Sequence, residues 1–294
     1  IILEGLKRLE YRGYDSAGIA FFSEKGIDVI RCKGKIKDLA SIVEDKRLTS
    51  NTAIGHTRWA THGKPSEENA HPHRSDGIVV VHNGIIENYL HLRKKLTDKG
   101  HKFNSETDTE VICHLIKDYA DYLPLEDAVR EALKEIKGAY ALAVINEKEP
   151  GKIVGVRKDS PLVVGIGDRE YFIASDIPAF LNYSRKVMFL DESEMVIITN
   201  DGVVVTALDG SPVQKDVETV TWSPSMAEKG GYRHFMLKEI FEQPRAVGDT
   251  LRGRFSIESG EINAEEFGLS RDLLKGFKKI FIVACGTSWH AALT

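Results

Sequence analysis

The chain has 294 residues, 42% hydrophobic and 29% charged, with a formal net charge of −4. That is enough for one large or two ordinary domains with a buried core, and it offers no basic excess for binding nucleic acid through phosphates. No apolar run approaches the roughly 20 residues that span a bilayer, and the three cysteines, Cys32, Cys113 and Cys285, are widely spaced with no C-x-x-C pair, which argues against a membrane, a disulfide framework or a cysteine zinc site and fits a reducing cytoplasm.

In chain order, Ile2, Leu3, Leu6 and Leu9 carry a helical apolar period over 1–11. The chain starts within that period with no Met, and a β-turn-α pattern at 279–294 stops short, so both ends read as cut. Strands are expected at Gly18–Ser23 and Ile27–Cys32, a helix near Lys37–Lys46, and strands at Thr52–Trp59 and Ile78–His82. Ile85, Tyr89, Leu92 and Leu96 predict a helix over Ile85–Lys99, ended by Gly100. Thr107-x-x-Glu110 reads as a capping box opening a helix with Val111, Leu115 and Tyr119 inward. Another helix starts at Pro124-Leu125.

From Ala139 the period turns to strand, at Ala139–Ile145, Ile153–Arg157, Leu162–Ile166, Tyr171–Ala174, Val187–Phe189, Met195–Thr199 and Val203–Leu208, with a hairpin turn at Asn200-Asp201-Gly202. Strands, then helices, then strands with hairpin-length links predict an α+β fold with antiparallel sheets and helices outside. Residues 209–235 lose the period, which puts a domain boundary near 228, with domains at 1–228 and 229–294. A helix is expected at Phe235–Arg252 and a buried strand at Lys279–Ala284.

Several stretches carry chemistry. Gly55–Gly63 ends a strand with Arg58, Trp59, Thr61 and His62 close together; Arg58 offers a planar fork to a carboxylate, or serves as an ordinary ion-pair partner with Trp59 in the core. His56, His62, His71 and His73 match no zinc spacing, so no metal and no cofactor is expected; they read as loop histidines bonded to backbone. Asn83 and Gly84 after a buried strand form either a simple turn or a pair of donors converging on an oxyanion. Asp108, read as the first helical position, serves the helix dipole or holds a substrate ammonium. Tyr11–Ser16 is a rigid connector by composition, and Gly286-Thr287-Ser288 a weak phosphate-turn signal.

Taken together, the strings YRGYDSAG, GHTRWATHG, VVHNGIIENY, SETDTEV, FIASD, YRHFMLKEI and IFIVACGTSWHA closely resemble the isomerising glutamine:fructose-6-phosphate aminotransferases, a family of hexosamine biosynthesis. The first four belong to the wider class of glutamine amidotransferases with an N-terminal cysteine nucleophile. The resemblance implies a four-layer αββα sandwich followed by the start of an α/β sugar-isomerase domain. It implies that glutamine is hydrolysed to glutamate and ammonia, and that fructose 6-phosphate is converted to glucosamine 6-phosphate through a second half, which would also mediate homo-oligomerisation.

Residue by residue, the resemblance implies that Asn83 and Gly84 form the oxyanion hole. Arg58 with Thr61 and His62 would hold the substrate α-carboxylate, and Asp108 the α-ammonium. Trp59 corresponds to an aromatic gate, Arg12 and Gly13 to a turn packed near the nucleophile, and Thr287 and Ser288 to the start of a sugar-phosphate loop. The family begins Cys-Gly-Ile-Val-Gly, about fourteen residues upstream of Ile1 by motif alignment, which mechanistically must be N-terminal because the chain's own α-amine serves as base. The chain as given is therefore expected to be inactive. The alternatives are the glutaminase half of another amidotransferase, such as amidophosphoribosyltransferase, or a non-catalytic glutamine-binding module.

Overall fold

The structure is a computed structural model. It describes residues 1–221 apart from 45, 47 and 61, and 232–293 apart from 253, 256–259, 261, 263–270, 284 and 285. The described residues divide into two compact units, Ile1–Ala246 and Val247–Thr294. The boundary expected at 228 falls outside the described residues.

In the first unit, β1 (Ser16–Ser23), β2 (Gly26–Lys33) and β3 (Ala53–Arg58) form an antiparallel sheet in the order β2-β1-β3. A second sheet, order β12-β11-β7-β6-β5-β4, contains β4 (His73–Ser75), β5 (Ile78–Ile86), β6 (Gly138–Asn146), β7 (Ile153–Lys158), β11 (Glu194–Thr199) and β12 (Gly202–Ala207). A third, order β13-β10-β8-β9, contains β8 (Val163–Ile166), β9 (Tyr171–Ala174), β10 (Lys186–Phe189) and β13 (Glu218–Thr219). Every strand pairing within these sheets is antiparallel, and Asn200-Asp201 makes the two-residue link of the β11–β12 hairpin.

The layering follows from the period-2 alternation of strand side chains. In the first sheet Ala17, Ile19 and Phe21 face Leu6 of α1 (Ile2–Leu9) and Ile36 and Leu39 of α2 (Ile36–Glu44). Ala20, Ile27 and Ile54 face the other way, onto Val79, Val81, Ala143 and Ile145 of the second sheet. On that sheet's far side Ile78, Val80, Leu142 and Val154 meet Leu92 and Leu96 of α3 (Tyr89–Asp98), Val111, Leu115 and Ile116 of α4 (Glu110–Ala120), and Ala128 and Ala132 of α5 (Leu125–Glu135). Helix, sheet, sheet, helix is the expected αββα order. The third sheet lies over the second through Leu162, Val164, Met188, Val196 and Ile198.

Three local expectations change. Strand β5 runs through Asn83-Gly84 to Ile86, and α3 starts at Tyr89, not Ile85, because β6 supplies a ladder along all nine residues of β5. The Thr107/Glu110 capping box does not form: α4 begins at Glu110 with Thr109 before it, and neither Thr109 nor Thr107 caps it through a side chain. The Glu110 carboxylate instead accepts from the backbone N–H groups of Asn104 at 2.8 Å and Ser105 at 2.7 Å. Asp108 therefore lies two residues before the helix and not in its first turn.

Phe235–Leu251 is helix α6, with Pro244 inside it, and the division after Ala246 falls within this helix. In the second unit Arg271–Gly276 (α7) and Gly286–Leu293 (α8) are helical. Residues 279–283 are irregular and exposed, so the buried strand expected there is not formed; no described strand lies alongside to complete a ladder.

Candidate active site

The site is built where β3, the second half of β5 and the loop before α4 meet. Strand β3 alternates so that Ile54, His56 and Arg58 point to one buried side. Arg58 is 4% exposed. Its Nη2 donates to the carbonyls of His62 and, at 3.1 Å, Gly63, folding the chain after β3 back on itself. Its Nη1 is buried with no hydrogen-bond partner among the described residues, 4.0 Å from Asp15 Oδ1. Burial pulls the guanidinium's pKa down while Asp15 and Asp108 pull it back up; the group stays cationic at neutral pH.

Asp15 anchors the same loop from below. Its Oδ2 accepts from the Ala60 N–H and its Oδ1 from Ser16 Oγ at 2.8 Å. Gly13 is required by proximity: a Cβ there would stand 2.7 Å from the backbone of Thr57 and Arg58. The turn Tyr11–Ser16 is thus the bed on which the Arg58 loop rests. Trp59 is on the surface, 59% exposed, edge-on to Tyr14 at 5.4 Å, and not in the core.

On β5 the register decides what each residue offers. The pairs that hydrogen-bond with β6 are the odd-numbered ones, as the ends of the ladder show: Glu147 N–H to Gly77 O and Glu87 N–H to Lys137 O, both 2.9 Å. Gly84 and Ile86 therefore aim their N–H groups at the opposite edge, which β4 covers only as far as Val80. Ile86 N–H finds Asp108 Oδ2 there at 2.8 Å, and Gly84 N–H lies two residues before it on the same edge. Gly84 has φ +141°, and a Cβ would stand 2.0 Å from the Ala139 carbonyl oxygen, so only glycine fits. Asn83 is exposed, with its Oδ1 turned back onto His56 Nε2 at 2.9 Å.

Asp108 is 4% exposed, with Oδ1 at 3.9 Å from His62 Nδ1, and His62 packs edge-on against Tyr89 at 5.1 Å. The structure thus brings Arg58, His62 and Asp108 together beside the Asn83-Gly84 corner. Thr61 lies outside the described residues, as do the side chains of Arg12, Thr287 and Ser288.

Sequence reasoning missed the layer behind the site. The histidines there are buried and bonded largely to side chains, not loop histidines on backbone. His71 Nε2 and His82 Nδ1 both reach Thr109 Oγ1 at 2.9 Å, and His73 Nε2 reaches Thr107 Oγ1 at 3.0 Å. The His71 ring lies 4.3 Å from that of His56 and 4.8 Å from that of His73. Burial drives all four toward the neutral form: His56 to about 4, His73 to about 3, with His71 and His82 also lowered. Burial pushes the Glu110 carboxyl up, but hydrogen bonds from His114, Ser105 and the Asn104 and Ser105 backbone win and hold it at about 2. Among the described residues no group of three or more His, Cys, Asp or Glu is arranged to hold a metal. The signal for His56 was present: it sits two residues before Arg58 in a strand, hence on the same face.

Cys32 and Cys113 are buried free thiols whose pKa values burial raises, the opposite of an activated nucleophile. Cys285 is outside the described residues. Among the described residues no helix is long and apolar enough to cross a membrane.

Residues 56–182 match a family model described as a glutamine amidotransferase domain. The chain is 51% identical over 294 residues to the glutamine–fructose-6-phosphate aminotransferase (isomerising) of Aquifex aeolicus, covering 99% of this chain and 48% of that protein. It is 49% identical over 295 residues to the protein of the same name from Clostridium tetani, covering 100% and 48%. The chain spans about half the length of the curated relatives it matches. Among solved structures, the glutamine phosphoribosylpyrophosphate amidotransferase of B. subtilis is similar at a TM-score of 0.61 and 28% identity, over 70% of this chain and 46% of that one.

Proposed function

We propose that this chain, whose residues 56–182 match a glutamine amidotransferase domain, is the glutamine-hydrolysing part of an isomerising glutamine:fructose-6-phosphate aminotransferase, supplying ammonia for glucosamine 6-phosphate. The observation that carries this reading is the corner at Asn83-Gly84. There a backbone N–H at an open sheet edge and a side-chain amide stand next to Asp108, His62 and Arg58, a ready pair of donors beside charges suited to an amino acid's α-ammonium and α-carboxylate.

In this reading glutamine lies with its α-ammonium on the Asp108 carboxylate and its α-carboxylate on Arg58, Thr61 and His62. A cysteine thiol attacks the side-chain amide carbon, and the carbonyl oxygen takes the negative charge against Gly84 N–H and Asn83 Nδ2. Collapse breaks the C–N bond; the nitrogen leaves as ammonia with the thiol's proton, and water then cleaves the thioester to glutamate. Buried, raised-pKa Cys32 and Cys113 do not suit this role, so the thiol is assigned to the family's N-terminal cysteine. An α-amine with a pKa of roughly 7.7–8.0 is a usable base beside it.

In this reading Trp59, which is exposed over Tyr14, borders the route of ammonia. The second substrate, fructose 6-phosphate, the phosphate-turn role of Thr287 and Ser288, a homo-oligomer and a cytoplasmic location belong to the same proposal. Identities near 50% to the fructose-6-phosphate enzymes, against 28% to the phosphoribosylpyrophosphate enzyme, favour this member.

The test is glutamine hydrolysis by the full-length protein. Asn83→Ala is expected to lower kcat by roughly 10²–10³, and Asp108→Asn to raise KM for glutamine. Unchanged kcat in Asn83→Ala removes the oxyanion role. Glutamine binding by calorimetry with no turnover in the intact protein would instead support a glutamine-sensing module.

A further inference from the structure

We infer that His56 is a positioning residue that sets the orientation of the Asn83 amide, donating from Nε2–H to Asn83 Oδ1 so that the Asn83 Nδ2 donors are directed to the substrate oxyanion. This rests on the reading of Asn83 given above.

The geometry requires a choice, because an amide and an imidazole 2.9 Å apart bond in either of two senses. In one, neutral His56 carries its proton on Nε2 and donates to Asn83 Oδ1; its Nδ1 is then a bare lone pair. In the other, the Asn83 amide is turned so that its NH₂ donates to Nε2, and the imidazole proton sits on Nδ1. Nδ1 is buried with no hydrogen-bond partner among the described residues. An unpaired N–H donor in that position costs more than an unpaired ring lone pair, so the first sense prevails.

The placement of the two side chains agrees. His56 is buried on β3 of the first sheet, and Asn83 is exposed on β5 of the second. The amide oxygen points into the protein, which leaves the nitrogen on the open side, where Gly84 N–H also reaches the edge of β5. The imidazole cannot swing away: His71 lies against it at 4.3 Å, and His71 is itself tied through Thr109 to His82. Groups that aim an oxyanion donor act on the transition state and not on ground-state binding.

The experiment uses the full-length protein with glutamine as substrate. His56→Leu removes the donor and is expected to lower kcat by about tenfold or more, bounded by the loss in Asn83→Ala, while KM for glutamine stays within about twofold. His56→Gln, whose amide N–H stands at the same reach as Nε2, should recover most of that loss. His56→Asn, one carbon too short, should not, and it keeps the test alive if His56→Leu does not fold. In an Asn83→Ala background, His56→Leu should cost nothing further.

If Asn83→Ala itself leaves kcat intact, the oxyanion reading fails and this inference with it. If Asn83→Ala lowers kcat while His56→Leu and His56→Asn do not, the inference alone fails. Equal losses with His56→Gln and His56→Leu, or a KM that rises in parallel, would overturn positioning in favour of a general structural role.

Discussion

The two halves of strand β5 share one ladder with β6 yet are held by different forces. Ile78, Val79, Val80 and Val81 are at most 9% exposed and face apolar side chains on both sides. At the next residue, His82 is as buried, but its ring bonds Thr109, Asn83 bonds His56, and Gly84 holds a φ that other residues rarely adopt. The first half is stabilised by area removed from water, which is non-directional and indifferent to pH. In the second half, each buried polar group depends on one partner in one orientation, so a single change leaves something unpaired. Rigid apolar packing holds the first half of the strand, and directional hydrogen bonds hold the polar side chains of the second.

The strongest way to break this contrast is Gly84→Ala. With a Cβ 2.0 Å from the Ala139 oxygen at φ +141°, it should destabilise the domain by on the order of 3 kcal/mol and abolish detectable glutamine turnover. Chemical denaturation and steady-state assays measure the two losses, and retained turnover would mean the corner tolerates another backbone. Ile78→Ala, in the first half, should also cost about 2–5 kcal/mol. Its kcat, measured well below the denaturation midpoint, should stay near wild type; a parallel fall would show that the halves are not separable.

A smaller effect sharpens the contrast through pH. The His56 pKa is lowered from 6.5 to about 4, so the unfolded chain binds the extra proton as pH falls below about 6.5. Stability is complete above that value and is lost progressively until about 4. From His56 alone the loss between pH 7 and pH 6 is about 0.7 kcal/mol. His71, His73 and His82, also lowered, act in the same direction. Urea midpoints across this range should fall with acidity, and the Ile78→Ala penalty should not depend on pH; a flat profile would contradict neutral buried histidines.

Much of the fold was legible because apolar period survives in sequence. The strands from Ala139 to Leu208 and the inward faces of α4 and α5 were readable, as was the Asn200-Asp201 link. The errors fall where two patterns are compatible with the same residues. Ile85 and Ile86 suit the last turn of a strand and the first of a helix equally, and pairing with β6 chose the strand. Thr107 and Glu110 have capping-box spacing, but Glu110 is drawn instead to the backbone of Asn104 and Ser105.

The sequence by itself determined the α+β class, the resemblance to glutamine amidotransferases, and the residue types of the candidate site: Arg58, His62, Asn83, Gly84 and Asp108 all stood out from local strings. Only the tertiary structure decided that Asp108 caps the same open edge of β5 to which Gly84 turns its N–H, and that His56, 27 residues from Asn83, hydrogen-bonds its amide. The reason is physical. Apolar burial leaves a period that any window of sequence displays, whereas a hydrogen bond between strands of different sheets depends on register and layer stacking, which no local window contains.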